Sequence, residues 1–360
     1  MRRPAQGWGG RRAAAALAVL VLAAAGAAAL LWGRRGPAPE PRYRTFSTEV
    51  MATTVRAVLP DRPGAEADAA AVFRVFAGVD RQMSEWKEGS PLAAVNRAAG
   101  GEPVAVPPDL VALLRRSAAI AEATGGAFDP TWAALWGLWD FRAPRPSLPD
   151  AAEVARRAAL VDYRRLEIDP VAGTVRLPAA GMLVGLGGIA KGWALDRSVE
   201  VLAARGVDSF LLQAGGQVYA GGGRRTAGGE RPWRVGLQDP RGPSGDFFAH
   251  LPLTDASAST SGDYESFFLL DGRRYHHVLD PRTGWPARGP AGVTVVSSDA
   301  TLADALSTAF MVLGRERSLA LAGELAGVEA VLVEEGGEVA VTPRLAGRLE
   351  RVHPPRAAGD

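Results

Sequence analysis

Hydrophobic and polar positions follow two different periods along this chain, and the changes of period mark the predicted elements. The segment from Tyr43 to Leu59 is rich in Thr and Val and is followed by Pro60, which predicts a strand. Residues 210–219 and 274–297 are further predicted β regions. Five segments have the spacing or composition of helices: residues 65–86, 104–123, 150–159, 190–205 and 302–313. Helices and strands alternate without a regular βαβ period, which predicts an α+β domain with a mixed β-sheet flanked by helices.

An uncharged, apolar run of twenty residues extends from Ala13 to Trp32. This is about the length that crosses a ~30 Å hydrocarbon layer as a helix. Four arginines precede the run and two follow it, which favours a cytoplasmic N-terminus and export of everything after Arg35. Residues 1–35 are therefore predicted to be a transmembrane anchor, with a cleaved signal peptide as the alternative. The remainder is expected at the cytoplasmic (inner) membrane, on its periplasmic or extracytoplasmic side.

Composition and charge narrow the functional classes. The 360 residues include no cysteine, which excludes thiolate nucleophiles, disulfides, Cys-ligated metals and a lipid-modified cysteine. The formal net charge is +2, but residues 1–36 carry +6, which leaves about −4 for the rest. A nucleic-acid partner is therefore not expected.

The chain is predicted to have one domain between a linker and a tail. Residues 36–42 form a Pro-rich linker, 43–345 a single predicted domain, and 346–360 a C-terminal tail.

A glycine-rich segment, residues 185–192, leads from a predicted strand into a helix whose first turn holds Lys191. Glycines allow close backbone approach to a ligand, and free amides at a helix start attract phosphate. Only Lys87 and Lys191 among the 41 basic residues are lysines, which hints that a compact ammonium is needed here. The pattern matches neither a Walker loop nor a dinucleotide fingerprint, so a chance occurrence is the competing interpretation.

Three other clusters also allow both a functional and a structural interpretation. Residues 125–131 end in Asp-Pro-Thr after a helix, which is also typical of a C-cap glycine and a turn. His276 and His277 are adjacent on a predicted strand and point to opposite faces, so only one can face a site, and a structural histidine is the alternative. Asp304 and Thr308 share one face of the last long helix and would suit Mg²⁺, whereas Asp304 interacting with the helix dipole is the competing hypothesis.

Taken together and in this order, the clusters resemble the ApbE family of FAD:protein FMN transferases. The resemblance covers roughly residues 43–340. It is carried by Met51-Ala52-Thr53, Met83 to Trp86 with Ser90 and Asn96, Gly126 to Thr131 with Trp139 and Phe141, Gly187 to Gly192 with Asp196, Ala214 to Gly216, Thr260 to Tyr264, His277 to Gly284, and Ala303 to Ala309.

The resemblance implies an enzyme that splits the pyrophosphate of FAD, transfers FMN to a Ser or Thr hydroxyl of a target protein and releases AMP. It implies Mg²⁺ as cofactor, held by Asp304, Thr308 and the Gly188 carbonyl, with Ser307 a neighbour, and His277 as the base. By matching position, the flavin pocket is implied to include Met51, Trp86, Ala127, Phe128, Asp129, Lys191 and Val278.

The chain departs from the family pattern at three positions. Gly185 stands where the family often has an Asp that contacts FAD, Ala52 where Gly is common, and Gln217 where Asp often follows the Gly-Gly pair. Two alternative functions stay open: a metal-dependent FAD pyrophosphatase that gives FMN and AMP, and a non-catalytic FAD-binding assembly protein. Many relatives are lipoproteins, and the N-terminal helix would replace that tether here.

Overall fold

The structure is a computed structural model that describes residues 41–358. The predicted N-terminal span lies outside these residues. Within 41–358, no helix has the combined length and hydropathy needed to cross a bilayer. The helices are α1 (Ala65–Met83), α2 (Pro91–Arg97), α3 (Pro108–Ala123), α4 (Ala151–Ala158), α5 (Ala190–Ala204), α6 (Ala300–Leu313), α7 (Arg315–Glu324) and α8 (Pro343–Ala346), with short 3-10 turns at Pro130–Leu135 and Tyr163–Arg165.

The strands are short and numerous. They are β1 (Tyr43–Val50), β2 (Thr53–Pro60), β3 (Val104–Ala105), β4 (Glu167–Asp169), β5 (Thr174–Arg176), β6 (Phe210–Ala214), β7 (Gln217–Gly221), β8 (Arg224–Thr226), β9 (Gly229–Arg231), β10 (Trp233–Gln238), β11 (Phe247–Leu253), β12 (Ala256–Gly262), β13 (Phe267–Leu270), β14 (Arg273–His276), β15 (Gly292–Ser297), β16 (Glu329–Val333), β17 (Val339–Val341) and β18 (Glu350–Arg351).

Eight strands form the main sheet, in the order β1-β2-β6-β7-β12-β15-β16-β17. The α+β class is confirmed. The expectation of a mixed sheet needs correction, because every pairing recorded in this sheet is antiparallel. The mixed sheet was expected from the irregular alternation of helices and strands. The helical segments between β2 and β6 and between β15 and β16 instead return the chain in the opposite direction.

The two faces of the main sheet bury different cores. One face packs against α1, α5 and α6, and its core includes Val55, Leu212 and Val295 from the sheet with Phe76 and Phe310 from the helices. The other face packs against a three-stranded sheet, β10-β11-β18, through residues such as Ala220, Ala258, Trp233 and Leu251. Because both faces are covered, the central strands carry small or apolar residues on both sides, as in β12 (ASASTSG) and β15 (GVTVVS). The C-terminal residues 350–351 pair with β11 through β18.

Three element boundaries differ from the sequence prediction. Residues 43–60 form a hairpin rather than one strand, because Met51 and Ala52 make a two-residue turn in which both φ angles are 55°. Residues 210–221 are likewise two strands joined at Gly215-Gly216. The predicted helix over 104–123 begins at Pro108, since Pro107 and Pro108 leave 104–105 free to pair with β5. Neither Met nor Ala signals a turn, so the first boundary has no local sequence signature.

Candidate active site

One cavity of about 410 Å³ is lined by the proposed base, metal ligands and flavin-pocket residues, although Ser307 does not line it. It lies at the ends of β7 and β12, beside the start of α5 and the middle of α6. Its walls include His277, Met51, Trp86, Ala127, Phe128, Asp129, Lys191, Val278, Gly188, Asp304 and Thr308. These positions are distant in sequence, and the fold brings them together.

The contact between α5 and α6 fixes Asp304. A Cβ built on Gly192 would lie 2.2 Å from the Ala300 carbonyl oxygen, so only glycine permits this closeness of the two helices. The Gly192 amide then donates to Asp304 Oδ2 (2.9 Å), and Gln217 Nε2 donates to Oδ1 (2.9 Å). Asp196 on α5 accepts from the amides of Ala300 and Thr301, which anchors the first turn of α6. Asp304 is consequently buried and oriented before any ligand arrives.

Several oxygen atoms that could ligate a metal ion lie around Asp304. A Cβ on Gly188 would lie 3.2 Å from Thr308 Oγ1, so that hydroxyl sits directly over the glycine segment. The neighbouring Ser307 hydroxyl is engaged by Ser261 (2.8 Å). Gln217 Oε1 is buried and has no hydrogen-bond partner in the described chain. Carboxylate, hydroxyl and carbonyl oxygens with an unsatisfied amide oxygen beside them are the donor set that Mg²⁺ prefers, so these residues fit the implied ion.

Burial also shapes the charge of this wall. Desolvation raises the pKa of Asp304, while the nearby Lys191 ammonium and the two hydrogen bonds act in the opposite direction. Lys191 Nζ donates to the Gly187 carbonyl (2.8 Å) and lines the same cavity. A positive charge is therefore held between the glycine segment and the carboxylate, where an anionic ligand would enter.

The two histidines lie in different surroundings, as strand alternation predicts. His276 ends β14 and is buried, its Nε2 hydrogen-bonded to the Ala287 carbonyl (3.0 Å), and burial lowers its pKa to about 4. His277 follows the strand and faces the cavity, and its amide donates to the Ser266 carbonyl (3.0 Å). Desolvation by the surrounding protein lowers the pKa of His277, whereas Glu265 works against that shift. The lowered pKa favours the neutral form of His277, which is the form that can accept a proton.

The segment 125–131 has both a structural and a cavity-lining role. Asp129 accepts hydrogen bonds from the Thr131 amide and hydroxyl (2.7 and 2.6 Å) and from the Tyr163 amide (3.0 Å). These bonds form the turn that the structural interpretation of this segment predicted. Desolvation raises the pKa of this buried carboxyl. Asp129 Oδ1 accepts two of these bonds and Oδ2 one, and the residue lines the cavity together with Ala127 and Phe128.

The position of Trp132 explains in part why this chain has glycine at position 185, where the family often has Asp. A Cβ on Gly185 would lie 3.0 Å from Trp132 Nε1, and that indole nitrogen donates to the Gly185 carbonyl (3.1 Å). The indole also lines the cavity. In this chain, an aromatic side chain therefore occupies the space in which a side chain at position 185 would begin.

The outer wall of the cavity is built from turns. Met51 lines it from the β1–β2 hairpin, where its left-handed backbone is an unusual conformation for a residue other than glycine. Trp86 is 68% exposed and contacts Trp136. An exposed tryptophan at the mouth of a cavity provides a flat apolar surface for a ring system.

The cavity residues that were not selected as site residues from the sequence include Glu85, Trp132, Gln217 and Glu265. Burial raises the pKa of Glu85, which faces the Lys191 charge. Glu85 and Glu265 lie inside motifs that carry the resemblance, or directly beside them, so proximity to a motif was the available signal. Gln217 was noted only as a departure, and its role depends on the contact with Asp304 across 87 residues.

A second group of possible metal ligands, Asp239, Asp246 and His353, is already neutralised. Arg356 Nη1 pairs with Asp239 Oδ2 (3.2 Å) and Asp246 Oδ2 (2.6 Å), and His353 Nε2 contacts Asp246 Oδ1 (3.1 Å). This cluster fastens the C-terminal residues to the β10–β11 connection.

Comparison with known proteins assigns this arrangement to a family. The model of the ApbE family matches residues 51–340, which is most of the chain. The chain belongs to the ApbE family. Membership of this family and assignment to the transferase class, both expected from the sequence, are confirmed.

Relatives and solved structures of the ApbE family extend over the same region. A protein of Treponema pallidum named FAD:protein FMN transferase is 38% identical over 327 residues, covering 86% of this chain and 90% of the relative. The crystal structure of the ApbE protein of Thermotoga maritima has a TM-score of 0.77 and 34% identity, covering 86% of this chain and all of that one. The flavin transferase ApbE of Vibrio cholerae has a TM-score of 0.75 and 26% identity over similar shares.

Proposed function

We propose that this protein transfers FMN from FAD to a Ser or Thr hydroxyl of an acceptor protein in a Mg²⁺-dependent reaction. The observation that carries the proposal is that the oxygen-bearing side chains of Asp304, which is buried, and Thr308 line the same cavity as His277. The names of the ApbE relatives supply the substrate class. The cavity volume falls within the ~300–1,000 Å³ range of small-molecule sites.

The metal, when bound, would neutralise charge on the pyrophosphate of FAD. Asp304, Thr308 and the Gly188 carbonyl would hold it, with Gln217 Oε1 as an additional oxygen close by. Gly192 and Gln217 keep the carboxylate oriented, so little rearrangement is needed on binding. The Lys191 ammonium attracts the anionic substrate to the same wall.

His277 takes the proton from the acceptor hydroxyl. The hydroxyl oxygen forms a bond to the FMN phosphorus, the bond from that phosphorus to the bridging oxygen of the pyrophosphate breaks, and AMP leaves with the bridging oxygen. The lowered pKa of His277 leaves its ring unprotonated at neutral pH, and the exposed ring can be reached by a protein hydroxyl. Trp86, Met51 and Phe128 provide the apolar walls for the ring systems of FAD.

Water is the competing acceptor, because the His277 ring is also open to solvent. Attack by water would give FMN and AMP, which is the pyrophosphatase alternative. The test is incubation of the full chain with FAD, Mg²⁺ and an acceptor protein that the Vibrio cholerae transferase modifies, followed by intact-mass measurement. An increase in the mass of the acceptor by one FMN moiety supports the transferase function. Free FMN and AMP with an unlabelled acceptor indicates the pyrophosphatase, and intact FAD indicates a binding protein.

We also propose that residues 1–35 tether the domain to the cytoplasmic membrane, with residues 43–345 on the periplasmic or extracytoplasmic side and 36–42 as the linker. The uncharged run from Ala13 to Trp32 and the four-to-two distribution of arginines support this topology. A C-terminal alkaline phosphatase fusion should be active and remain in the membrane fraction after a carbonate wash. An inactive fusion would contradict the orientation, and a shortened soluble product would identify a cleaved signal peptide.

A further inference from the structure

A second and larger cavity, of about 890 Å³, adjoins the active-site cavity. Gly215, Gly216, Thr260 and Glu265 line both cavities, so the two meet at this junction. The floor of the second cavity is the face of the main sheet at Gln213 and Val218, and one wall is β10. We call this second cavity the β10 groove.

Two of the four residues at the junction are glycines, so part of the boundary between the cavities is formed by backbone alone. Gly215 has a φ of 62°, and a Cβ on Gly216 would lie 2.6 Å from the Thr260 carbonyl oxygen. The Thr260 amide donates to the Gly216 carbonyl (3.0 Å), which holds the turn in place. No side chain rises from these two residues between the groove and His277. Residues 215 and 216 therefore place no side chain in the way of an acceptor residue that approaches His277 from the groove.

The wall of the groove presents an unpaired strand edge. Strand β10 is the outer strand of its sheet, and no other strand of the described chain pairs with its free side. Successive residues Val235 and Gly236 both line the groove, as expected where the edge of a strand rather than one face is exposed. Such an edge binds an extended peptide through main-chain hydrogen bonds. The six residues of β10 correspond to roughly 20 Å of extended partner.

The groove carries an excess of positive charge. Arg56 projects from β2 onto the floor, is exposed, and forms no salt bridge within the described residues. Arg241 and Arg274 share a single carboxylate, Asp263, at 2.6 Å and 3.7 Å, and each retains a buried nitrogen without a hydrogen-bond partner. Glu265 is the acidic residue that lines the groove itself. The charge therefore favours an acidic partner segment.

We propose that the β10 groove binds the acceptor protein. The acceptor would lie as an extended segment beside β10, with carboxylates facing Arg56, and deliver its Ser or Thr over the Gly215-Gly216 turn to His277. The inference rests on the proposed transferase function. It also explains how a protein and FAD can reach one base from separate cavities.

The test compares two charge reversals in the full chain. Arg56→Glu changes the groove, whereas Arg74→Glu is the matched control, because Arg74 is an exposed arginine on the opposite, helical side of the sheet with no salt bridge in the described chain. The probe is an acceptor protein that the Vibrio cholerae transferase modifies. We measure FMN transfer against acceptor concentration, and FAD binding by flavin fluorescence.

Arg56→Glu should raise the acceptor concentration for half-maximal transfer about tenfold or more, which corresponds to ~1.4 kcal/mol. FAD affinity should stay within twofold of the parent, and Arg74→Glu should behave as the parent in both assays. Replacing the carboxylates nearest the modified hydroxyl of the acceptor with lysine should restore transfer by Arg56→Glu. If the two variants depended equally on acceptor concentration, or if Arg56→Glu lost FAD affinity in parallel, the proposal that the β10 groove binds the acceptor would be wrong. A parent enzyme that labels no acceptor would instead overturn the proposed function.

Discussion

The two walls of the active-site cavity are built in opposite ways. The inner wall, which holds Gly188, Asp304 and Thr308, comes from the glycine segment before α5 and from α6, and α5 and α6 are in close contact at Gly192. The outer wall, which holds Met51, Trp86 and His277, comes from turns and strand ends that are largely open to solvent. A buried wall can orient oxygen donors in advance, whereas an open wall can admit a large partner. The reaction proposed here needs both properties.

The largest effect should follow from removing the carboxylate of the inner wall. Asp304→Ala should reduce FMN transfer to background, because the pyrophosphate would lose its metal ligand. The amide of Gly192 and Gln217 Nε2 would also lose their acceptor, at a cost of about 1–3 kcal/mol of unfolding free energy each. Transfer rate and urea unfolding are the measurements.

Asp299→Ser provides the control for that experiment. Asp299 caps the same helix by accepting from the Leu302 amide (2.8 Å) but does not line the cavity, and serine can preserve the cap. This variant should keep near-parental activity. If Asp304→Ala stayed active at limiting Mg²⁺, the assignment of the inner wall as the metal site would be wrong.

On the outer wall, His277→Ala should lower the transfer rate by about 10²–10⁴, the usual range for loss of a general base. His276→Gln should have a small effect, since its side chain is buried and glutamine can still donate to the Ala287 carbonyl. The pH profile adds a second readout: parental activity should rise as pH increases through the lowered pKa of His277 and then level off. Equal losses in the two variants would contradict the assignment of His277 as the base.

The sequence allowed the inner wall to be predicted more completely than the outer one. Asp304 and Thr308 are four residues apart on one helix, so their shared face follows from helical geometry. The family resemblance selected Met51 as a pocket residue, but the turn at Met51-Ala52 that places it there could not be predicted, because neither residue type favours a positive φ. The orphaned oxygen of Gln217 and the free edge of β10 depend on contacts between distant segments. Local patterns do not record such contacts.

The difference between the two histidines also predicts an effect on stability. The folded-state pKa of His276 is about 4 against 6.5 as its ordinary value, so the unfolded chain binds the proton more readily between these pH values. Stability should therefore fall as pH decreases through that window, by up to ~3 kcal/mol from this group. His276→Gln should flatten this part of the curve of unfolding free energy against pH.

The difference between the two curves isolates this contribution. Buried carboxyls with raised pKa values, such as Asp304 and Asp129, act with the opposite sign, because protonation favours their folded state. They are present in both proteins and cancel in the comparison. Parallel curves for the parent and His276→Gln would show that His276 is not buried in its neutral form.

The smallest predicted effect concerns the strain of the outer wall. Ala52 has a φ of 55°, a left-handed conformation that costs a residue with a Cβ roughly 1–2 kcal/mol and costs glycine nothing. Glycine also loses more entropy on folding, so Ala52→Gly should raise the unfolding free energy by a net of about 0.5–1 kcal/mol. Thr54→Gly is the control, since Thr54 lies in β2 opposite Glu49, and glycine within a strand should destabilise. Urea unfolding measures both. A destabilised Ala52→Gly would mean that the hairpin adopts a different turn, and Met51 would then not be held against the cavity by this backbone.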